Sequence, residues 1–150
     1  AAMKNYEVLI ENPIKWALKN KPNTEYQYLC LAFVEDAYEQ SNSIEMFGGS
    51  TAKESADMYG TNTTREPKRG DFVFYNATGP INGISKNWGH VGLCLGNNQI
   101  IHTWNMIRID NYLEVESLQN APGWSNPEYI GWVSPEVFLK GMVTKKYNKQ

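Results

Sequence analysis

Residues 89–104 read GHVGLCLGNNQIIHTW. Two runs of Val, Leu and Ile flank Gly96-Asn97-Asn98, the composition of two antiparallel strands joined by a tight loop. Both histidines of the chain fall in this stretch, His90 opening one strand and His102 lying inside the other. Side chains alternate faces along a strand, so the two imidazoles share a face only if the loop has an odd number of residues. The stretch therefore predicts a three-residue loop with Asn98 left-handed and Leu95 opposite Gln99. That register sets His102 opposite Gly92 and diagonal to His90. Taken alone, the hairpin leaves a structural pair, a weak metal site and a catalytic pair all open.

At 150 residues, 41% hydrophobic and 20% charged, the chain has the make-up of one globular domain. We expect a single domain over 1–150 with its core at about 24–140. No apolar run has membrane-spanning length, and a net charge of −2 argues against a nucleic-acid partner. Five Trp and nine Tyr are many; aromatics at that density line grooves for sugars or peptides when they are not absorbed by the core. The two cysteines, Cys30 and Cys94, form no zinc signature. Cys94, inside an apolar strand, is predicted to be a small buried hydrophobe.

Helices come first along the chain. A short helical entry and a helix from Pro13 to about Asn20 are predicted, with Asn12-Pro13 as cap and first-turn proline and Lys21-Pro22-Asn23 as the stop. Thr24-Glu25-Tyr26-Gln27 has the capping-box pattern, and Tyr26, Leu29, Cys30, Phe33, Val34, Ala37 and Tyr38 then repeat at helical spacing. Residues 41–50 are predicted as a loop, and Thr51-Ala52-Lys53-Glu54 caps a short helix ending at Gly60. Phe72 to Tyr75 is a strand without a solvated face. Residues 76–88 are predicted as a loop that carries Trp88 toward His90, and residues 106–109 as a strand. Residues 113–125 are irregular, residues 129–133 form a strand, and Ser134-Pro135 caps a terminal helix before a polar tail from Lys145. The order is that of an α+β domain with N-terminal helices packed on a central antiparallel sheet.

Cys30 stands apart from Cys94. It faces inward near the start of its helix, where free N–H groups and the helix dipole favour an anion and lower a thiol pKa. One more core position is the other reading of Cys30. A thiol there, packed on a sheet that presents a histidine, is what nucleophilic catalysis needs. In that arrangement His90 is the base and His102 the residue that orients its ring.

The run PKRGDFVFY (residues 67–75) followed by GHVGLCLGNNQIIHTW resembles the core of the NlpC/P60 cysteine peptidases, a papain-like α+β family that mostly cuts peptidoglycan stem peptides. The resemblance covers roughly residues 24–133, and the twelve-residue spacing of His90 and His102 agrees with the family's paired histidines. It implies Cys30 as nucleophile, His90 as general base and then acid, and His102 as orienting residue. It also implies an oxyanion hole that includes the Cys30 N–H. Where the family usually reads Asp-Cys-Ser-Gly, this chain reads Leu29-Cys30-Leu31-Ala32. The polar contacts to a free amino end are therefore missing, and Tyr26 and Tyr28 are expected to supply a different subsite.

The function expected on these grounds is a peptidoglycan hydrolase, a cysteine endopeptidase with a Cys30-His90-His102 triad and Tyr26, Tyr28, Trp88 and Trp104 at the substrate. Two alternatives stand beside it. One is a CHAP-like amidase, whose third residue is usually an acid or Asn placed farther along. The other is a non-catalytic wall-binding module using the groove of Trp88, Trp104 and Trp124. The expected partner is the stem peptide, with no cofactor, no metal and no membrane span. The chain is expected to be a monomer, secreted or associated with the cell wall of a bacterium or deployed by a phage.

Overall fold

The computed structural model describes residues 2–21 and 23–147, so Pro22 and the end of the polar tail lie outside the described residues. Helix α1 (Ala2–Lys19) is continuous through Pro13, where the sequence predicts a break. Proline has no N–H to donate to the carbonyl four residues back. That carbonyl, Leu9 O, instead accepts from Asn42 Nδ2 at 2.9 Å, while Asn12 Nδ2 donates to Asn42 Oδ1 at 2.8 Å. A side chain of the neighbouring helix thus replaces the missing bond.

Helix α2 (Cys30–Asn42) begins later than its capping-box pattern predicts. Tyr28 sits at φ 65°, a left-handed conformation that cannot continue a right-handed helix. Residues 25–28 turn instead, closed by Leu29 N–H donating to Tyr26 O at 2.8 Å. Strand β1 (Ile44–Glu45) follows, within the stretch predicted as a loop. Helix α3 (Ala52–Tyr59) is capped as the sequence implies: Thr51 Oγ1 accepts from Glu54 N–H at 3.1 Å, and the Glu54 carboxylate accepts from Ser50 N–H at 3.0 Å.

Strand β2 (Phe72–Asn76) is followed by β3 (Thr78–Ile81) and β4 (Ile84–Asn87), a hairpin where the sequence predicts a loop. Its turn is Asn82-Gly83, both at positive φ, the pairing that a two-residue hairpin favours. Then come β5 (His90–Gly96), β6 (Gln99–Thr103), β7 (Ile107–Asn111), a 3-10 turn at Glu114–Ser117 and β8 (Glu128–Val133). Helix α4 (Pro135–Phe138) and β9 (Val143–Thr144), which pairs with β1, complete the described chain.

The main sheet has the order β7-β6-β5-β2-β8, antiparallel throughout. On one face Phe72, Phe74, Val91, Leu93 and Ile101 pack on Phe33, Val34, Ala37 and Tyr38 of α2, with Ile14 and Ala17 of α1 and Phe138 of α4. On the other, Val73, Tyr75, Cys94 and Ile100 are covered by Tyr112 and Val115. Four consecutive residues of β2 are buried because both of its faces are covered. Each such large side chain contributes about 1.5–3 kcal/mol by leaving water. Cys94 is fully buried, as its apolar strand predicts.

The histidine hairpin reaches the predicted side-chain geometry by another route. Its turn has two residues, Asn97 and Asn98, both left-handed (φ 53° and 61°), and Gly96 pairs with Gln99. A two-residue turn alone would put the histidines on opposite faces. Leu95 bulges out between the Cys94–Ile100 and Gly96–Gln99 pairs, and this one extra residue restores the parity. Gly92 then lies against His102: a Cβ on Gly92 would stand 3.1 Å from His102 Cβ.

Candidate active site

Pairing between β5 and β6 ends at Leu93–Ile101, whereas β2 follows β5 as far as His90. Helix α2 packs on both β5 and β6. Its first residue, Cys30, brings its sulfur to the backbone N–H of Val91, and the N–H groups of Leu31 and Cys30 itself also bear on it. The candidate nucleophile therefore adjoins the residue that follows His90. A start at the first helical position leaves those N–H groups without partners inside the helix.

His90 is fixed from behind. Gly89 (φ 76°) abuts the head of α3, where a Cβ would stand 2.5 Å from Lys53 N, and Lys53 N–H donates to Trp88 O at 3.0 Å. The buried His90 ring shares a 2.8 Å hydrogen bond between its Nε2 and His102 Nδ1. His102 Nε2 in turn meets Asp110 Oδ2 at 2.7 Å. Arg108 grips the same carboxylate twice, Nε to Oδ2 at 2.8 Å and Nη2 to Oδ1 at 3.2 Å.

Asp110 lies just beyond the strand predicted over residues 106–109, inside the observed β7, and the sequence alone does not single it out. The signal was there: Ile107-Arg108-Ile109-Asp110 alternates, and the observed register pairs Arg108 with His102 and Asp110 with Ile100. That places the carboxylate diagonal to His102 on one face.

Burial pushes the Cys30 thiol up to about 11 against the lowering effect of the three N–H groups. The sequence predicts a lowered value; the helix end acts in that direction, but desolvation of the thiolate outweighs it. Burial, and then His102, holds His90 well below the ordinary 6.5. His102 is also lowered, because burial outweighs its bond to Asp110. Burial raises the Asp110 carboxyl, but the bonds from His102 and Arg108 more than offset this and leave it below the usual range. At neutral pH the thiol and both rings are uncharged, and the carboxylate carries the charge.

The four aromatic candidates are placed differently. Trp104 stands edge-on to His90, ring centroids 5.2 Å apart, with its Nε1–H donated to Gln119 O. Tyr28 is 79% exposed two residues before Cys30. Tyr26 is turned inward, packed on Trp16 and Phe33, and donates its hydroxyl to Asp36 at 2.7 Å. Half-buried Trp88 donates Nε1–H to Gly79 O at 2.9 Å and carries Lys86 Nζ 4.4 Å from its ring centroid. Trp124 packs on the same Gly79, so it and Trp88 clamp the base of the β3–β4 hairpin. Ile107 N–H donates to Asn23 O at 3.0 Å, which ties the turn carrying Tyr28 to the strand that follows Trp104.

Among the described residues no group of three or more His, Cys, Asp or Glu is arranged to hold a metal ion, and no helix is long and apolar enough to cross a membrane. A sequence comparison with curated proteins finds no match. The model of the NlpC/P60 family matches residues 13–126, a span that holds α2, the histidine hairpin and Asp110. The chain belongs to the NlpC/P60 family.

Proposed function

We infer that this chain has the peptidoglycan-related cysteine peptidase or hydrolase activity that membership in its family implies. We propose that this chain is a single catalytic domain that cleaves an amide bond of peptidoglycan stem peptides, with Cys30 as nucleophile, His90 as general base and acid, and His102 as the residue that orients His90. The observation that carries the reading is the 2.8 Å bond between two buried imidazoles, beside a helix that begins with Cys30.

Because thiol and imidazole rest neutral, attack and proton transfer are coupled. The Cys30 sulfur bonds to the substrate carbonyl carbon while its proton passes to His90 Nδ1, the nitrogen not occupied by His102. The oxyanion is received by N–H groups at the head of α2, that of Cys30 among them. His90 then gives the proton to the departing amine, leaving a thioester. Water attacks the thioester with His90 again as base, and the proton returns to sulfur as the acid product leaves. A positioned base of this kind is worth roughly 10²–10⁴-fold in rate.

Tyr28 and Trp104, tied together through the Asn23–Ile107 bond, make the aromatic wall of the substrate site. Tyr26 steadies the turn beneath them, and Trp88 with the β3–β4 hairpin bounds the other side. Leu29 and Leu31 offer no charge to a free amino end. The enzyme works outside the cell or on the wall, as a monomer.

Digestion of purified peptidoglycan followed by mass analysis tests the proposal. Shortened stems with new amine and carboxyl ends are expected. Release of whole stems from the sugar would make it an amidase on the same machinery, overturning the endopeptidase assignment. An undigested wall would overturn hydrolysis altogether.

A further inference from the structure

The bond network around His102 contains more than the two imidazoles require. We propose that Asp110, held by Arg108, is a positioning residue that fixes the tautomers of both histidines and thereby makes His90 Nδ1 a base. The inference rests on the proposed hydrolase reading and deepens it.

The argument follows the protons. Asp110 is a carboxylate at neutral pH and only accepts, so the 2.7 Å contact requires His102 to carry its proton on Nε2. The His102 ring is neutral, which leaves its Nδ1 as an acceptor. The 2.8 Å contact to His90 then requires the His90 proton to sit on Nε2 as well. The lone pair of His90 Nδ1 is left free to take a proton from the thiol. Two hydrogen bonds thus carry the polarity of one carboxylate to an atom two rings away. Without it either ring is free to adopt the opposite tautomer, and the opposite pair leaves His90 with a proton where it needs a lone pair.

Arg108 holds the carboxylate in place through two contacts, 2.8 and 3.2 Å, a planar fork suited to that geometry. It also helps keep the carboxylate charged. The ionisable groups acting on the unit are His90 from β5, His102 from β6, and Arg108 and Asp110 from β7. When His90 takes up the proton during attack, the Asp110 charge lies on the far side of His102 and favours the imidazolium.

Asn in place of Asp110 keeps the shape but can donate its amide N–H to His102 Nε2, which inverts the relay; Ala removes the bias. Asp110→Asn is therefore expected to lower kcat by roughly 10²–10⁴-fold with little change in KM, and to be more damaging than Asp110→Ala. A merely structural role gives the reverse order, since Ala loses more packing than Asn. Nitrogen-15 spectra of the imidazoles, simple to read because the chain has two histidines, provide a readout independent of activity. Wild type is expected to show both rings protonated on Nε2, and Asp110→Asn to show them on Nδ1. Wild-type rings protonated on Nδ1, unchanged tautomers in Asp110→Asn, or Asp110→Ala slower than Asp110→Asn would overturn the assignment. The spectra stand even if the wild-type protein leaves peptidoglycan intact, so failure of the relay and failure of the hydrolase reading are told apart.

Discussion

In the proposed roles, a Cys30 thiol raised to about 11 and a His90 imidazole held well below 6.5 form no ion pair before substrate arrives, which sets the pH behaviour expected of the site. Alkylation of Cys30 by iodoacetamide is expected to climb toward pH 11 without a plateau near neutrality; a midpoint below 8.5 would contradict the burial argument. His90 must be neutral to accept the thiol proton, and its lowered value keeps it neutral to more acid pH. The acid limb of kcat/KM is therefore expected below 6.5 rather than at it. His90→Ala is expected to abolish turnover, and His102→Ala to lower it less severely because the base itself remains; peptide release assays check the order, and its reversal would exchange their roles. Residue identity was legible in the sequence: Cys30, His90 and His102 could be picked out by type and spacing. Their charge states were not, because desolvation depends on what covers a side chain in three dimensions. Asp110 was missed for a related reason, since its partner lies on another strand.

At the scale of elements, a tertiary partner overrides the local signal at Pro13, while backbone turns and bulges shift the others. Pro13 does not break α1, since Asn42 on α2 bonds the carbonyl that proline leaves free. Asn42→Ala is expected to cost about 1–3 kcal/mol, read as a lower thermal midpoint, because it orphans that carbonyl. The capping box at Thr24 starts no helix because Tyr28 turns left-handed, and this delay puts Cys30 at the head of α2. The Leu95 bulge does what a longer loop was expected to do. Further along α2, Glu35 is raised from 4.5 to about 7, by burial first and then by Glu39 and Asp36. A raised carboxyl contributes stability below its unfolded value and loses it as pH rises through about 7. Glu35→Gln is therefore expected to stabilise the fold by about 1–2 kcal/mol at pH 8, after discounting for solvent screening, with the gain shrinking toward pH 4.5. A thermal midpoint unchanged at pH 8 would contradict this.

Across the whole molecule, three layers serve one site. The helices cover one face of the sheet, the segment of Tyr112 and Val115 covers the other, and the Cys30 sulfur reaches the backbone N–H of Val91, the residue that follows His90. The α+β layering followed from the order of apolar patterns, with helical spacing before residue 60 and strand-like runs after 72. The β3–β4 hairpin did not, although Asn82-Gly83 is a turn signal, because its strands are mostly exposed and carry no apolar alternation. In the proposed reaction all hydrolysis passes through one sulfur, that of Cys30. Purified peptidoglycan digested in parallel with wild type and Cys30→Ala, scored by new amine ends, tests it most directly. Release by wild type and none above background by the variant is expected; equal release by both would overturn the assignment of Cys30 as nucleophile.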